Sequence, residues 1–271
     1  MKSDKTFLSV AIGLLVLSIF FLVIERCFGL GRGRSLFRRG WLLDVCYWFL
    51  TPFVTKSLTR LALILPIGVL IWLGVANVET MRTREFVGFG PVSRQPLWLQ
   101  ILEIYALADF LGYWSHRLFH RGRWWPFHAV HHSSEDLDWL SSIRVHPVND
   151  LVNKLVQVTP LLLLGFNPFA TLSAAPFFTL YAIMLHANVS WDYGPLRGVI
   201  ASPVFHRWHH SKHREAWDKN FAGLLPLWDR IFGTYYMPQG SLPDDFGIPE
   251  EFPRDFIGQM VRPFARLLGR K

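Results

Sequence analysis

Residues 7–24 read FLSVAIGLLVLSIFFLVI, eighteen residues without a charged side chain. A helix of that length measures about 27 Å, which is enough to cross the hydrocarbon core of a bilayer. A cleaved signal peptide would need small residues at a cleavage site after the apolar run, but Glu25, Arg26, Cys27 and Phe28 follow it here. The stretch therefore predicts a membrane-spanning anchor helix.

Two more single spans are predicted beyond this anchor. Residues 61–78 are apolar enough to cross a membrane, with Pro66 tolerated as a kink. Residues 97–114 predict a third span, although Glu103 and Asp109 interrupt it. An ionisable group at membrane depth is expected to have a function, so Asp109 is a candidate site residue.

Residues 151–187 predict a helical hairpin, because Gly, Phe, Asn and Pro at 165–168 break the apolar pattern. The first arm carries several polar residues, so it is expected to dip into the membrane rather than cross it fully. Taken together, the segments predict an all-α fold, a polytopic membrane helical bundle of about four spanning segments or hairpins, with a cytosolic histidine-rich helical cap.

The loop after the first span fixes the expected orientation. Arginines crowd this loop with Glu25 as the one nearby counter-charge; they are Arg26, Arg32, Arg34, Arg38 and Arg39. Such a cluster favours the cytoplasmic side. Residues 41–54 are apolar but contain Asp44, which suits an in-plane interfacial helix. Residues 79–96 then face outward, and the histidines that follow share the cytoplasmic side, as in a multi-pass protein of a bacterial inner membrane.

Composition agrees with a membrane protein. Hydrophobic residues make up 51% of the chain and charged residues only 18%, against about 25% in soluble domains. The formal net charge of +8 does not form one continuous stripe, so anionic lipid headgroups explain it better than nucleic acid does. Two cysteines, Cys27 and Cys46, are too few for a disulfide framework and are expected to be buried.

The placement of the eleven histidines is the most informative feature. The first 115 residues contain none, and neither do the last 58. His116 and His120 form a His-x-x-x-His block, and residues 128–132 and 206–210 each form a His-x-x-His-His block. Residues at i, i+3 and i+4 share one helix face, so the imidazoles of each block can reach one metal centre. Eight buried imidazoles without partners would be costly, and metal coordination satisfies them together.

The number of imidazoles bears on the metal. A structural zinc takes four ligands and a catalytic zinc takes three from the protein, so eight to ten imidazoles suit two ions. Imidazole accepts iron, copper, nickel or zinc. Zinc would indicate a membrane zinc-dependent lipid hydrolase, which leaves most of the histidines unexplained. A metal transporter would hold its ligands near the membrane midplane, whereas these blocks flank the spans at one end.

The blocks resemble those of the fatty acid hydroxylase and sterol desaturase superfamily of membrane di-iron enzymes. The likeness runs over residues 109–237, nearly half of the chain, and is shared by all branches of the superfamily. It rests on these segments: 109–117 (DFLGYWSHR), 127–134 (FHAVHHSS), 144–147 (RVHP), 186–188 (HAN), 205–211 (FHRWHHS), 218–221 (DKNF) and 227–234 (LWDRIFGT).

The resemblance implies a set of iron ligands, with His186 as the ninth member and His146 as either a tenth or a supporting group. The set is His116, His120, His128, His131, His132, His146, His186, His206, His209 and His210. Asp109 lies two helical turns before His116 and is expected to accept the second N–H of a ligand imidazole, with a hydrogen bond inside the helix bundle as the alternative. His213 fits no block and is expected to be solvated.

This resemblance implies an O₂-dependent oxidoreductase with two non-haem iron ions that hydroxylates or desaturates a lipid, the two reactions sharing the first hydrogen abstraction. Hydroxylation is the preferred interpretation, and the lipid stays open among sterols, fatty acyl chains and other membrane lipids. Electrons must come from an external reductase, ferredoxin or cytochrome, because the chain has no Gly-rich dinucleotide fingerprint and no haem-attachment motif. The expected domains are an anchor region (1–96), a catalytic domain (97–237) and a C-terminal tail (238–271).

Overall fold

The computed structural model describes residues 2–30, 37–83 and 85–269, with side chains from residue 6 onward. Within these ranges the chain is helical, with two isolated β-bridges and no strand, so the all-α prediction is confirmed. The helices are α1 (Lys2–Phe28), α2 (Trp41–Leu50), α3 (Lys56–Ala62), α4 (Ile64–Trp72), α5 (Val78–Thr83), α6 (Leu97–Phe119), α7 (Trp125–His132), α8 (Pro147–Leu163), α9 (Pro168–His186), α10 (Pro203–His209), α11 (Leu227–Ile231) and α12 (Phe256–Leu267).

Among the described residues, three helical stretches are long and apolar enough to cross a membrane. They are Thr6–Phe28, Trp41–Trp72 and Pro168–His186, so the predicted anchor helix and the second arm of the predicted hairpin both appear. The outer surfaces of these helices are rich in exposed Leu, Ile, Val and Phe side chains, as lipid-facing surfaces are. The expectation that Cys27 and Cys46 are buried is wrong, because both are exposed on such surfaces.

The stretch between residues 41 and 78 differs from its prediction. A π-helical turn, Thr51–Thr55, joins α2 to α3, and α4 follows, so residues 41–54 continue into the apolar helix instead of forming a separate in-plane helix. Asp44 suggested a surface position, but its carboxylate is buried and neutralised by two arginines. The helix ends at Trp72 rather than at residue 78, and Gly74 beyond it takes a positive φ of 71°.

The first two apolar stretches run antiparallel. The Trp48 indole donates a hydrogen bond to the Val10 carbonyl (2.9 Å), and the rings of Phe7 and Phe49 stack with centroids 5.0 Å apart. Later residues of α1 thus lie beside earlier residues of α2. The C-terminal end of α1 and the N-terminal end of α2 therefore lie at the same end of the bundle.

The remaining long helices, α6, α8 and α9, repeat this arrangement. The Phe89 N–H, in the loop before α6, donates to the carbonyl of Gly165, in the turn between α8 and α9 (3.1 Å). Only glycine fits at 165, because its φ is +86° and a Cβ would lie 2.2 Å from the Phe89 carbonyl oxygen. This contact marks the end of the bundle at which α6 and α9 begin, so the histidines at their C-terminal ends gather at the opposite end.

A buried ion network closes the histidine end. Asp44 accepts hydrogen bonds from Arg38 (2.7 Å) and Arg144 (2.6 Å), and Arg38 also binds Asp138 with two of its nitrogens. Arg39 pairs with Glu135 at the surface. The expectation that the basic loop lacks counter-charges is therefore wrong for these two arginines; Arg32 and Arg34 lie outside the described residues.

Candidate metal centre

Nine histidines converge in two adjoining groups. The first group has five members and the second has four, and in each group one ring nitrogen from every member lies within 4.8 Å of those of the others. The stacked rings of His132 and His210, with centroids 4.3 Å apart, join the two groups. The first group is His116, His120, His128, His132 and His209; the second is His131, His186, His206 and His210.

Four helix ends position these side chains, as the block spacing predicts. The last turn of α6 carries His116, with His120 as its C-terminal cap, and α7 carries the second block, whose imidazoles share a face. Ser202 caps α10 through the Phe205 N–H, and Pro203 begins the helix, so the third block starts at a fixed point. His186 is the last residue of α9.

Backbone carbonyls fix the tautomers in the four-histidine group. The Nδ1 atoms of His131 and His186 donate to the carbonyls of Arg144 (3.2 Å) and Ala182 (2.7 Å). A carbonyl cannot donate, so each proton must sit on Nδ1 and each Nε2 carries a bare lone pair. Yet these two Nε2 atoms face each other at 3.2 Å. Two lone pairs at this distance repel, unless a cation lies between them.

The five-histidine group has the same electronic pattern. The Nδ1 atoms of His116 and His209 donate to the carbonyls of Phe221 (2.8 Å) and Lys219 (2.7 Å), which leaves both Nε2 lone pairs free. The Nε2 atoms of His209 and His120 are buried and have no hydrogen-bond partner within the described parts of the chain. Buried polar atoms without partners are costly, and a metal ion would satisfy them together.

The spacing of the ring nitrogens also fits metal ligands. Two nitrogens bound at about 2.1 Å and at right angles around one ion lie about 3.0 Å apart. His116 Nε2 is 3.0 Å from His128 Nε2, and His206 Nε2 is 3.1 Å from His186 Nε2. The donor set therefore fits one transition metal ion in each group.

Burial keeps these imidazoles in the form that binds metal. Removal from water disfavours the charged imidazolium and lowers the pKa of His128, His131, His132, His209 and His210 well below its usual value. Each ring is therefore neutral at pH 7, and a neutral imidazole is the ligating species.

Asp109 plays a different part from the one expected. It does not contact an imidazole; its carboxylate accepts the backbone N–H groups of Gly223, Leu224 and Leu225 and the indole N–H of Trp228. The spacing puts Asp109 on the same face of α6 as His116. The loop after α10 lies against that face, and its backbone N–H groups donate to the carboxylate. Asp109 therefore anchors the loop whose carbonyls orient His116 and His209.

That loop depends on an unusual turn. Asp218 and Asn220 both have positive φ, which Asp and Asn tolerate better than most residues. The Asn220 amide holds the turn through the carbonyls of Phe205 and Tyr236. In this conformation the Lys219 and Phe221 carbonyls point at their histidines, and the Asp218 carboxylate lies 3.3 Å from His120 Nδ1.

Asn149 is a supporting residue that the sequence did not single out. Its side-chain oxygen lies 2.7 Å from His128 Nδ1, in the first turn of α8. The signal available was a polar residue three positions after His146, at the start of a helix that packs against the histidine helices. That signal is weak, because Asn near a helix start is common for capping alone.

His146 and His213 lie outside both groups. His146 is the N-cap of α8: its Nδ1 accepts the Val148 N–H (3.1 Å), and its Nε2 lies 3.2 Å from the Met260 carbonyl oxygen. Both ring nitrogens therefore have partners outside the two histidine groups. His213 is exposed beside Asp244.

Comparisons with known proteins agree with this geometry. The family model for fatty acid hydroxylases matches residues 101–234. An ornithine lipid hydroxylase of Rhizobium tropici is 32% identical over 76% of this chain and 62% of its own length. The alkylglycerol monooxygenase of Homo sapiens is 37% identical over 47% of this chain and 28% of its own length.

A C-4 methylsterol oxidase of Schizosaccharomyces pombe is also similar, at 29% identity over 60% of this chain and 55% of its own length. The chain thus spans less than two thirds of the length of each of these three relatives. No solved structure matches it. All three relatives carry names of lipid-oxidising enzymes, and the matched region contains every histidine of the two groups.

Proposed function

Because the chain belongs to the fatty acid hydroxylase and sterol desaturase superfamily, we propose that it is a membrane oxidoreductase that hydroxylates a lipid with O₂ at two iron ions. The observation that carries this proposal is the pair of opposed lone pairs on His131 and His186, repeated in the five-histidine group. A paired site built only from neutral imidazoles suits a redox-active transition metal.

The proposed ligands are the nine converging histidines, and His146 is left out because both of its ring nitrogens already have partners. Iron is preferred over zinc because of the number of imidazole ligands available. A catalytic zinc takes three protein ligands and a structural zinc takes four, whereas one group here offers five imidazoles. A zinc-dependent lipid hydrolase would leave more than half of the set without a role.

The reaction requires more electrons than the lipid supplies. Hydroxylation of a C–H bond by one O₂ consumes two further electrons and two protons and yields the alcohol and one water. The iron pair, when bound, would supply the redox chemistry by which O₂ is activated. The chain's part is to hold the imidazoles neutral and oriented through the carbonyls of Phe221, Lys219 and Arg144, and to keep bulk water out of the buried site.

Membrane placement follows the same proposal. Residues 1–96 serve as the anchor region, 97–237 as the catalytic domain and 238–271 as the tail, with the histidine end on the cytoplasmic side of a multi-pass fold. The substrate is a lipid that reaches the site from the bilayer between the helices, because the three relatives named above act, by their names, on an ornithine lipid, an alkylglycerol and a methylsterol. Hydroxylation is proposed over desaturation, since their names describe hydroxylation, mono-oxygenation or oxidation.

Comparative lipidomics under labelled oxygen tests the proposal. Cells that express the gene and cells that lack it are grown under ¹⁸O₂, and their lipids are compared by mass spectrometry. We expect a lipid present only with the gene and carrying one ¹⁸O atom, because the added oxygen comes from O₂. A product whose new oxygen comes from water, or a cleaved lipid, would instead indicate a hydrolase.

A further inference from the structure

A small basic cavity lies on the outer side of α7, close to the five-histidine group. Its volume is about 140 Å³, and Trp125, Arg262, Arg266 and Glu250 are among its lining residues. This volume is too small for a membrane lipid, since sites for drug-sized ligands occupy about 300–1,000 Å³. The cavity is therefore too small to be the site of the lipid substrate.

Trp125 connects this surface with the metal centre. Its indole lies 5.3 Å from the ring of His120 and 5.5 Å from the ring of His132, measured between centroids. Both histidines belong to the five-histidine group. One aromatic side chain thus lines the surface cavity and also contacts two proposed iron ligands.

The charge around Trp125 is mostly positive. Arg121 and Arg123, which flank Gly122 at the cavity wall, are exposed and have no acidic partner within the described ranges. Arg262 and Arg266 add two more guanidinium groups, which share the carboxylate of Glu250 at 4.0 and 2.7 Å. Asp218, 3.3 Å from His120 Nδ1, is a second carboxylate near Trp125, so four arginines face two carboxylates. This positive excess attracts an acidic partner and speeds its association.

From this placement we infer that the surface around Trp125, with Arg121, Arg123, Arg262 and Arg266, docks an acidic, soluble one-electron carrier of the ferredoxin type. Trp125 lies on the route by which the carrier's electrons reach the metal centre. The inference rests on the proposed function, which needs two external electrons per O₂. Each reduced carrier loses one electron and leaves oxidised. Two carriers, with two protons from water, thus complete the conversion of O₂ and a C–H bond into an alcohol and water.

Charge reversal tests the docking surface. The full chain in phosphatidylcholine nanodiscs is mixed with a purified acidic [2Fe–2S] ferredoxin, and the Kd is measured at several salt concentrations. Arg121→Glu with Arg123→Glu should raise the Kd by about tenfold or more and flatten its salt dependence. Arg82→Glu with Arg94→Glu is the matched control: it makes the same charge change at exposed arginines before α6, at the far end of the bundle, and should leave the Kd unchanged. Equal effects of both pairs, or no ferredoxin binding to the unaltered chain, would overturn the inference.

Substitution of Trp125 tests the electron route separately from docking. With ferredoxin at saturating concentration and the rate divided by the measured iron content, Trp125→Leu should lower severalfold the rate at which reduced ferredoxin is oxidised in a single turnover. Trp125→Phe retains an aromatic ring and should recover part of that rate. An unchanged rate in Trp125→Leu contradicts the route.

Dithionite, a small reductant that needs no docking surface, separates the two proposals. If dithionite supports lipid hydroxylation while the ferredoxin results fail, only the present inference falls. If dithionite-reduced protein with full iron content also forms no hydroxylated lipid, the proposed function falls as well.

Discussion

Replacement of His131 by alanine is expected to abolish lipid turnover and to empty the four-histidine group, whereas His213→Ala should leave both activity and iron content intact. His131 Nε2 is 3.2 Å from His186 Nε2, and its orientation is fixed by the Arg144 carbonyl. Groups that only support a ligand typically cost 10–100-fold in metal affinity or activity when removed, so loss of a ligand should exceed about 100-fold.

The measurement is iron per chain after anaerobic purification, together with product formation in nanodiscs. His213 is a suitable control because it is exposed, pairs with Asp244 and belongs to neither group. Far-UV circular dichroism checks that each variant keeps its helices. Equal losses in the two variants would mean that the site has been drawn incorrectly.

The second large effect is expected at Asp44, and it concerns stability. This carboxylate is fully buried and accepts hydrogen bonds from Arg38 and Arg144. Asp44→Ala removes the shared partner and leaves Arg144 as a buried, uncompensated charge, which should cost about 3–5 kcal/mol in the free energy of unfolding. Because the Arg144 carbonyl orients His131, this variant should also bind less iron.

Glu135→Ala provides the matched control for Asp44. Glu135 pairs with Arg39 at the surface, where the two side chains are 46% and 56% exposed, so its loss should cost at most about 1 kcal/mol. Thermal unfolding of both variants in the same detergent gives the comparison. A melting temperature that drops equally in both, or in neither, would contradict the role assigned to the network.

The two histidine groups were largely predictable because the blocks that supply most of their members are local in sequence. His128, His131 and His132 lie within five residues on one helix, and the 3.6-residue period alone puts their imidazoles on one face. Convergence of the three blocks and of His186 depends on tertiary packing. That part was predicted through the family resemblance rather than through spacing.

Residues that support the ligands were less predictable because their contacts are distant in sequence. Asp109 was expected to bind a histidine, but it binds a loop 114–116 residues away. His146 lies in the His-Pro pair that contributed to the family resemblance, yet it serves as a helix cap. Asn149 had only a weak sequence signal, since Asn near a helix start is common for capping alone. A polar side chain can anchor a loop, cap a helix or support a ligand, so only the fold decides which of these roles each residue has.

The membrane helices show the corresponding limit for the fold. The span over residues 7–24 was predictable because it contains no charged side chain that would have to be kept out of the membrane, and the structure has α1 there. The helix over Trp41–Trp72 was divided in two because Asp44 and Lys56 read as surface residues. A hydropathy scale treats Asp44 as a hydrated charge, whereas Arg38 and Arg144 neutralise its carboxylate inside the protein.

Metal analysis of active protein tests the central claim most directly. The full chain is purified under anaerobic conditions, its metals are counted by mass spectrometry, and the same preparation is assayed for O₂-dependent lipid hydroxylation. The account predicts about two iron ions per chain, with activity that rises in proportion to iron content, because two imidazole groups each hold one ion. Zinc alone in fully active protein would contradict it.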